Sequence, residues 1–133
     1  MKITIMAIAH ANQRYPTCGD WWIDEDGMQI RVSAEMGEDS CFLVAMHECI
    51  EAVIAMRRGV TVKEVDDFDI AYEKAHREGG TLEGKRLDES EPGDDPGCPV
   101  FKEHGLATGI EAILCAEMGI PWAEHDKAVE SLP

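Results

Sequence analysis

At 133 residues the chain has material for one domain and little room for two. Its 44% hydrophobic content can bury a core and excludes the balance of a disordered chain. Against 12 basic side chains stand 27 acidic ones, a formal net charge of −15. That charge opposes direct contact with a nucleic-acid phosphate backbone, where Lys and Arg must displace counterions.

The longest apolar run is broken by His47 and Glu48, so no membrane span and no membrane partner are expected. The opening MKITIMAIAHANQRYP is short, β-branched and followed by polar residues without a small-x-small cleavage site. It reads as a first strand over residues 2–9 rather than as a secretory signal. Five cysteines (Cys18, Cys41, Cys49, Cys98 and Cys115) are an odd number without a CxxC pair. That suits a reducing cytoplasm, with Cys41, Cys49 and Cys115 packing as small hydrophobes.

After a polar loop, Trp21-Trp22-Ile23 and the alternating Met28-x-Ile30-x-Val32 flank Asp26-Gly27, a hairpin signal. Residues 1–34 therefore predict a small antiparallel sheet of about three strands. Glu38-Asp39-Ser40 opens a first helix, with Asp39 or Ser40 as its cap, and Gly59 ends it after Arg57-Arg58. Thr61-x-x-Glu64 is a capping box starting a second helix, whose Val65, Phe68, Tyr72 and Ala75 share a face until Gly79-Gly80. Residues 79–99, rich in Gly, Pro, Asp and Glu, read as a long loop. A third helix covers about 101–118 and ends at Gly119; Pro121-Trp122 begins a short fourth. The expected fold is one α+β domain over 1–133, with the helical part at 39–133.

The first helix carries the chemistry. From Cys41 to Met56 it reads CFLVAMHECIEAVIAM, in which His47, Glu48 and Glu51 alone are strongly polar. A helix apolar nearly all round is buried, and buried carboxylates need a partner or a cation. His47 and Glu51, four apart, stack on one face and offer two ligands to one metal. Glu48 projects in a neighbouring direction, where it can serve as general base on an activated water. On the third helix His104, Thr108, Glu111 and Cys115 form one stripe. His104 completes a His/Glu/His set with an open position. Glu111 is either a fourth ligand or the partner that holds an imidazole. Gly105 and Gly109 beside the stripe would be tolerated where another helix packs close. The metal-free alternative is a buried network in which His47 bonds Glu51 and His104 bonds Glu111.

Other polar residues read as ordinary. Asp66, Asp67 and Asp69 read as a solvated face, with the alternative that one of them faces the site; Asp94-Asp95-Pro96 reads as a turn rather than a ligand set, and His76 and His125 lie exposed in charged surroundings. Trp21, Trp22 and Trp122 belong to core or rim, with Trp22 the one placed to touch a substrate.

His47-Glu48-Cys49-Ile50-Glu51 resembles the HExxH helix of the zincin metallopeptidases, with Glu in place of the second His. The hairpin-then-helix order also resembles the minimal zincin core. The resemblance implies zinc, with His47 and Glu51 as ligands, Glu48 as base, and His104 or Glu111 as a third ligand from a later helix. The succession of GDWW, HExxEA and GDD before a His…Glu helix resembles small uncharacterised bacteriophage-encoded proteins, which implies the cytoplasm of a host. Three functions follow. The first is a zincin-like hydrolase of peptide or amide bonds. The second is a helical nucleotide phosphohydrolase using Mg²⁺ or Mn²⁺, with Arg57, Arg58 and Lys102 near the phosphate. The third is an acidic, non-enzymatic protein that binds and inhibits a host factor.

Overall fold

The computed structural model describes the backbone of residues 1–77, 81–82, 85–86 and 92–133, and the side chains of 1–75 and 92–133. Strands β1 (Ile3–Ile8), β2 (Gly19–Asp24) and β3 (Gly27–Ser33) form a sheet in the order β1-β3-β2. β2 and β3 make the expected antiparallel hairpin, with Trp21 opposite Ile30 and Ile23 opposite Met28. Its turn is Glu25-Asp26, one residue earlier than the Asp26-Gly27 reading, and Gly27 opens β3 at φ +111°.

β1 corrects the expectation of an antiparallel sheet: it runs parallel to β3, with Ile5 opposite Ile30. The chain after β1 does not fold back beside it. It crosses the end of β3, where His10 Nδ1 meets Ser33 Oγ at 2.8 Å and Ser33 N donates to Cys18 O at 2.9 Å. β2 is thereby delivered to the far edge. β3 is left in the centre, where its alternating Met28, Ile30 and Val32 are at most 1% exposed.

The helices are α1 (Glu38–Arg57), α2 (Val62–Arg77), α3 (Phe101–Glu117) and α4 (Trp122–Glu130), which with the sheet make the fold α+β. The predicted caps divide. Thr61 and Glu64 form the box at the start of α2, with Glu64 N donating to Thr61 Oγ1 at 3.2 Å. Neither Asp39 nor Ser40 caps α1, because Gly37 precedes the helix and both lie inside its first turn. The stretch 79–99 is not all loop: β4 (Thr81–Leu82) and β5 (Lys85–Arg86) pair antiparallel, and Pro92–Asp94 is a single 3-10 turn. The predicted stop at Gly79-Gly80 lies outside the described residues.

α1 sits between the sheet and α3. Val44, Ala45, Ala52 and Ala55 join Trp21, Met28, Ile30 and Val32 in one core, which Val65 of α2 and Cys98 and Val100 before α3 complete. The adjoining face of α1, with His47 and Glu51, lies on α3. Gly105 and Gly109 do not mark a further helix contact: a Cβ at either would meet nothing within 4 Å. Among the described residues no single helix is long and apolar enough to cross a membrane.

Candidate metal centre

His47 of α1 meets Glu111 of α3, and Glu51, one turn later, meets His104, about two turns earlier on α3. The two helices therefore run antiparallel, and the two stripes read from the sequence face each other. Three donor atoms converge. His47 Nε2 lies 3.1 Å from His104 Nδ1, His104 Nδ1 lies 3.2 Å from Glu51 Oε2, and Glu51 Oε2 lies 3.3 Å from His47 Nε2. A tetrahedral zinc with bonds of about 2.0–2.1 Å spaces its ligand atoms about 3.3–3.4 Å apart. The triangle thus has nearly the size of one face of that tetrahedron. A proton can bridge only one edge of such a triangle, whereas one cation serves all three corners. Among the described residues this is the one group of His, Cys, Asp or Glu side chains close enough to share an ion.

Each corner is held from behind. Glu111 Oε1 takes His47 Nδ1 at 2.8 Å, and Glu111 Oε2 takes His125 Nε2 at 2.5 Å. With the Nδ1 proton donated to Glu111, the lone pair of His47 is left on Nε2, inside the triangle. Trp21 Nε1 donates to Glu51 Oε1 at 3.2 Å, which leaves Oε2 as the free oxygen. Asp94 Oδ1 stands 3.4 Å from His104 Nε2. Gly93 packs on the His104 ring so closely that a Cβ there would fall 2.4 Å from Nδ1.

The charges follow from this packing. Burial works against a charged His47, yet hydrogen bonds to Glu111 and Glu51 outweigh it and push its pKa up to about 11 in the absence of a cation. Burial likewise opposes an ionised Glu51, but His104 and His47 hold it down, at about 2. Glu111 is also lowered: burial opposes this, and the bonds from His47 and His125 prevail. Glu48 goes the other way. Burial, then the charge of Glu51, raise its pKa well above the usual carboxylate range.

A pocket of about 400 Å³ opens onto Glu48, Glu51 and His104, with Gly19, Asp69 and Val100 among its other walls. Gly19 makes room for Glu48, whose Oε1 lies 2.6 Å from where a Cβ at position 19 would stand. Asp69 accepts a hydrogen bond from Tyr15 at 2.9 Å, and its pKa is pushed up to about 7 by burial and then by the charges of Glu51 and Asp20.

His47, Glu51 and His104 come together as the sequence spacing implies, and Glu48 lines the same pocket as Glu51 and His104. Glu111 stands behind His47, in the position of the partner that holds an imidazole, and outside the ligand group. His104 bonds Glu51 and Asp94 rather than Glu111. Three expectations need correction, those for His125, Asp69 and Trp22. His125 is not exposed but 2% accessible, because α4 folds back to place it on Glu111. Asp69 does not belong to a solvated face but lines the pocket; Asp66 is taken by Arg14 at 2.9 Å, and Asp67 alone is well exposed. Asp94 lies in a 3-10 turn and outside the ligand group, as expected, and in addition stands 3.4 Å from His104 Nε2. Trp21, not Trp22, borders the pocket, while Trp22 lies under the guanidinium groups of Arg14 and Arg31 at 4.6 and 5.1 Å. The His76 side chain lies outside the described residues. None of the five cysteines is in a disulfide, and none belongs to the His47–Glu51–His104 group.

No protein-family model, no curated protein and no solved structure matches the chain.

Proposed function

We propose that the chain is a zinc-dependent hydrolase of peptide or amide bonds, similar in plan to the zincins, with His47, Glu51 and His104 as ligands and Glu48 as general base. The observation that carries the reading is the triangle of two imidazole nitrogens and one carboxylate oxygen, two corners of which, Glu51 and His104, line the pocket that Glu48 also lines. Three ligands leave a fourth position open, as catalytic rather than structural zinc requires. His47, Glu51 and His104 would hold the ion, which would supply Lewis-acid activation of a carbonyl and lower the pKa of a water. Glu48 would accept the proton of that water as it attacks and return it to the leaving amine. Burial and the charge of Glu51 raise its pKa, the direction that lets the carboxylate hold a proton once it has taken one up. Trp21 and Glu111 hold Glu51 and His47 in place while this happens.

The nucleotide phosphohydrolase reading has less support. Arg57, Arg58 and Lys102 are not among the residues lining the pocket, and Arg58 is engaged by Glu103 at 2.6 Å. Two imidazoles also favour zinc over Mg²⁺, which prefers oxygen ligands. The acidic-inhibitor reading, of a kind with the phage resemblance, requires no metal. Elemental analysis of protein loaded with Zn²⁺ and desalted separates them. We expect one zinc per chain, lost on His47→Ala, and cleavage of a mixed peptide pool that a chelator stops. Protein that retains no zinc overturns the reading and leaves a hydrogen-bonded His–Glu network.

A further inference from the structure

Helix α4 is attached in an unusual way. Its one buried residue is a polar one, His125, and its aromatic residue Trp122 stays 41% exposed with its ring against the imidazole at 5.3 Å. Val129 supplies a partly buried apolar contact with the core. The fully buried attachment is polar: the imidazole is inserted between two buried polar groups, Nδ1 meeting Ser40 Oγ of α1 at 2.8 Å and Nε2 meeting Glu111 of α3. The contacts run without a break from Ser40 through His125 and Glu111 to Nδ1 of His47, and all four residues are at most 8% exposed.

The consequence for His47 is geometric. A carboxylate held by one donor can swing about its Cγ–Cδ bond. Glu111 has a nitrogen on each oxygen, one from α1 and one from α4, and cannot turn without losing one of them. The His47 ring is thus fixed with Nε2 inside the triangle. The same helix also shapes the pocket, because Val129 of α4 and Leu132 just beyond it form part of its wall.

We propose that His125 is a positioning residue of the metal centre. It acts through Glu111 to hold His47 in its ligating orientation, and it couples the docking of α4, and with it one wall of the pocket, to metal binding. This rests on the metal-centre reading above. Coupling of this kind is reciprocal: if docked α4 favours the ion, the ion must favour docked α4 by the same factor.

The test compares wild type with His125→Leu, His125→Gln and Ser40→Ala. Zinc affinity is measured by competition with a chromophoric chelator, and hydrogen exchange across α4 is followed with and without Zn²⁺. Leu nearly fills the space but donates nothing, while the Gln amide can still donate to Glu111. We expect His125→Leu to weaken zinc binding by about 10–100-fold, the range for lost partners of ligating imidazoles. His125→Gln should stay within a few-fold of wild type, and Ser40→Ala should fall between. Zinc should slow exchange of the α4 amides in wild type and fail to do so in His125→Leu. Full zinc affinity in His125→Leu, or a His125→Gln variant as weak as the Leu one, overturns the proposal. Should His125→Leu not fold, wild type decides alone: α4 exchange indifferent to zinc at full occupancy overturns it. Wild type that binds no zinc is a different result, which removes the metal centre itself.

Discussion

Glu48 and Glu51 sit three residues apart on α1, yet packing separates their roles. Glu51 Oε2 belongs to the ligand triangle, and Glu48 faces the pocket against Gly19. Glu51→Gln should therefore lose zinc affinity by an order of magnitude or more, while Glu48→Gln should keep zinc and lose turnover, because an amide cannot take the proton of the attacking water. Metal content and rate measured side by side check this; loss of zinc in Glu48→Gln with retention in Glu51→Gln would invert the assignment. Gly93 gives an independent test of His104. A methyl group there would lie 2.3 Å from Cγ of the ring, so the imidazole must move. Gly93→Ala should weaken zinc binding and destabilise the fold by about 1–3 kcal/mol, as overpacking does; a variant with native zinc affinity would place His104 outside the ligand set. The His47–Glu51–His104 group was legible in the sequence because helical spacing alone puts His47 over Glu51, and His104 on one stripe with Glu111. Its supports were not. Trp21 reaches Glu51 across 30 positions and Ser40 reaches His125 across 85, and no local pattern encodes contacts that only the fold creates.

At the scale of elements, the seam between α1 and α3 is where charge is stored, and it predicts how stability depends on pH. Without a cation the raised pKa of His47 means a contribution fully present below pH 6.5 and lost as pH rises toward about 11. Asp69 acts in the same direction: a carboxyl raised from 3.8 to about 7 costs stability as pH rises across that interval. Glu51, lowered from 4.5 to about 2, is the opposite case, and its contribution disappears as pH falls through that range. Zinc-free protein should thus lose thermal stability from about pH 5 to pH 9, while zinc, which takes the place of the His47 proton, should hold the midpoint steady. Melting curves of chelated and zinc-loaded protein across that range check it, and a chelated midpoint that climbs toward pH 9 would contradict it. Elements with a local signal were readable in advance: the alternation of β3, the box at Thr61, the apolar run of α1. The direction of β1 was not, because its isoleucines pair equally well with either orientation of a neighbour. What sets it is the course of the connection over the end of β3, through His10, Cys18 and Ser33.

For the molecule as a whole, the His–Glu cluster ties together side chains of three helices, α1, α3 and α4. α1 belongs to the sheet core, but α3 meets it through a face that carries His104 and Glu111, and α4 through His125. Two buried carboxylates, Glu51 and Glu111, face three imidazoles, one each from α1, α3 and α4, so a dication would balance both charges at once. An ion that binds the folded chain and not the unfolded one stabilises it by mass action, about 2.7 kcal/mol at a hundred times the dissociation constant. For a domain of this size that is a rise of roughly 8–15 °C in the thermal midpoint. We expect Zn²⁺ to produce such a rise in wild type, to do so far less in His104→Ala, and not at all in His47→Ala. Mg²⁺ at millimolar concentration should leave the midpoint where it was, since one carboxylate oxygen and two imidazoles make a poor site for a hard cation. Differential scanning calorimetry with each ion in turn is the measurement. A shift from Mg²⁺ equal to that from Zn²⁺ would move the reading toward phosphate chemistry. A midpoint indifferent to both would mean that the acidic surface, and not the His–Glu seam, is where this chain meets its partners.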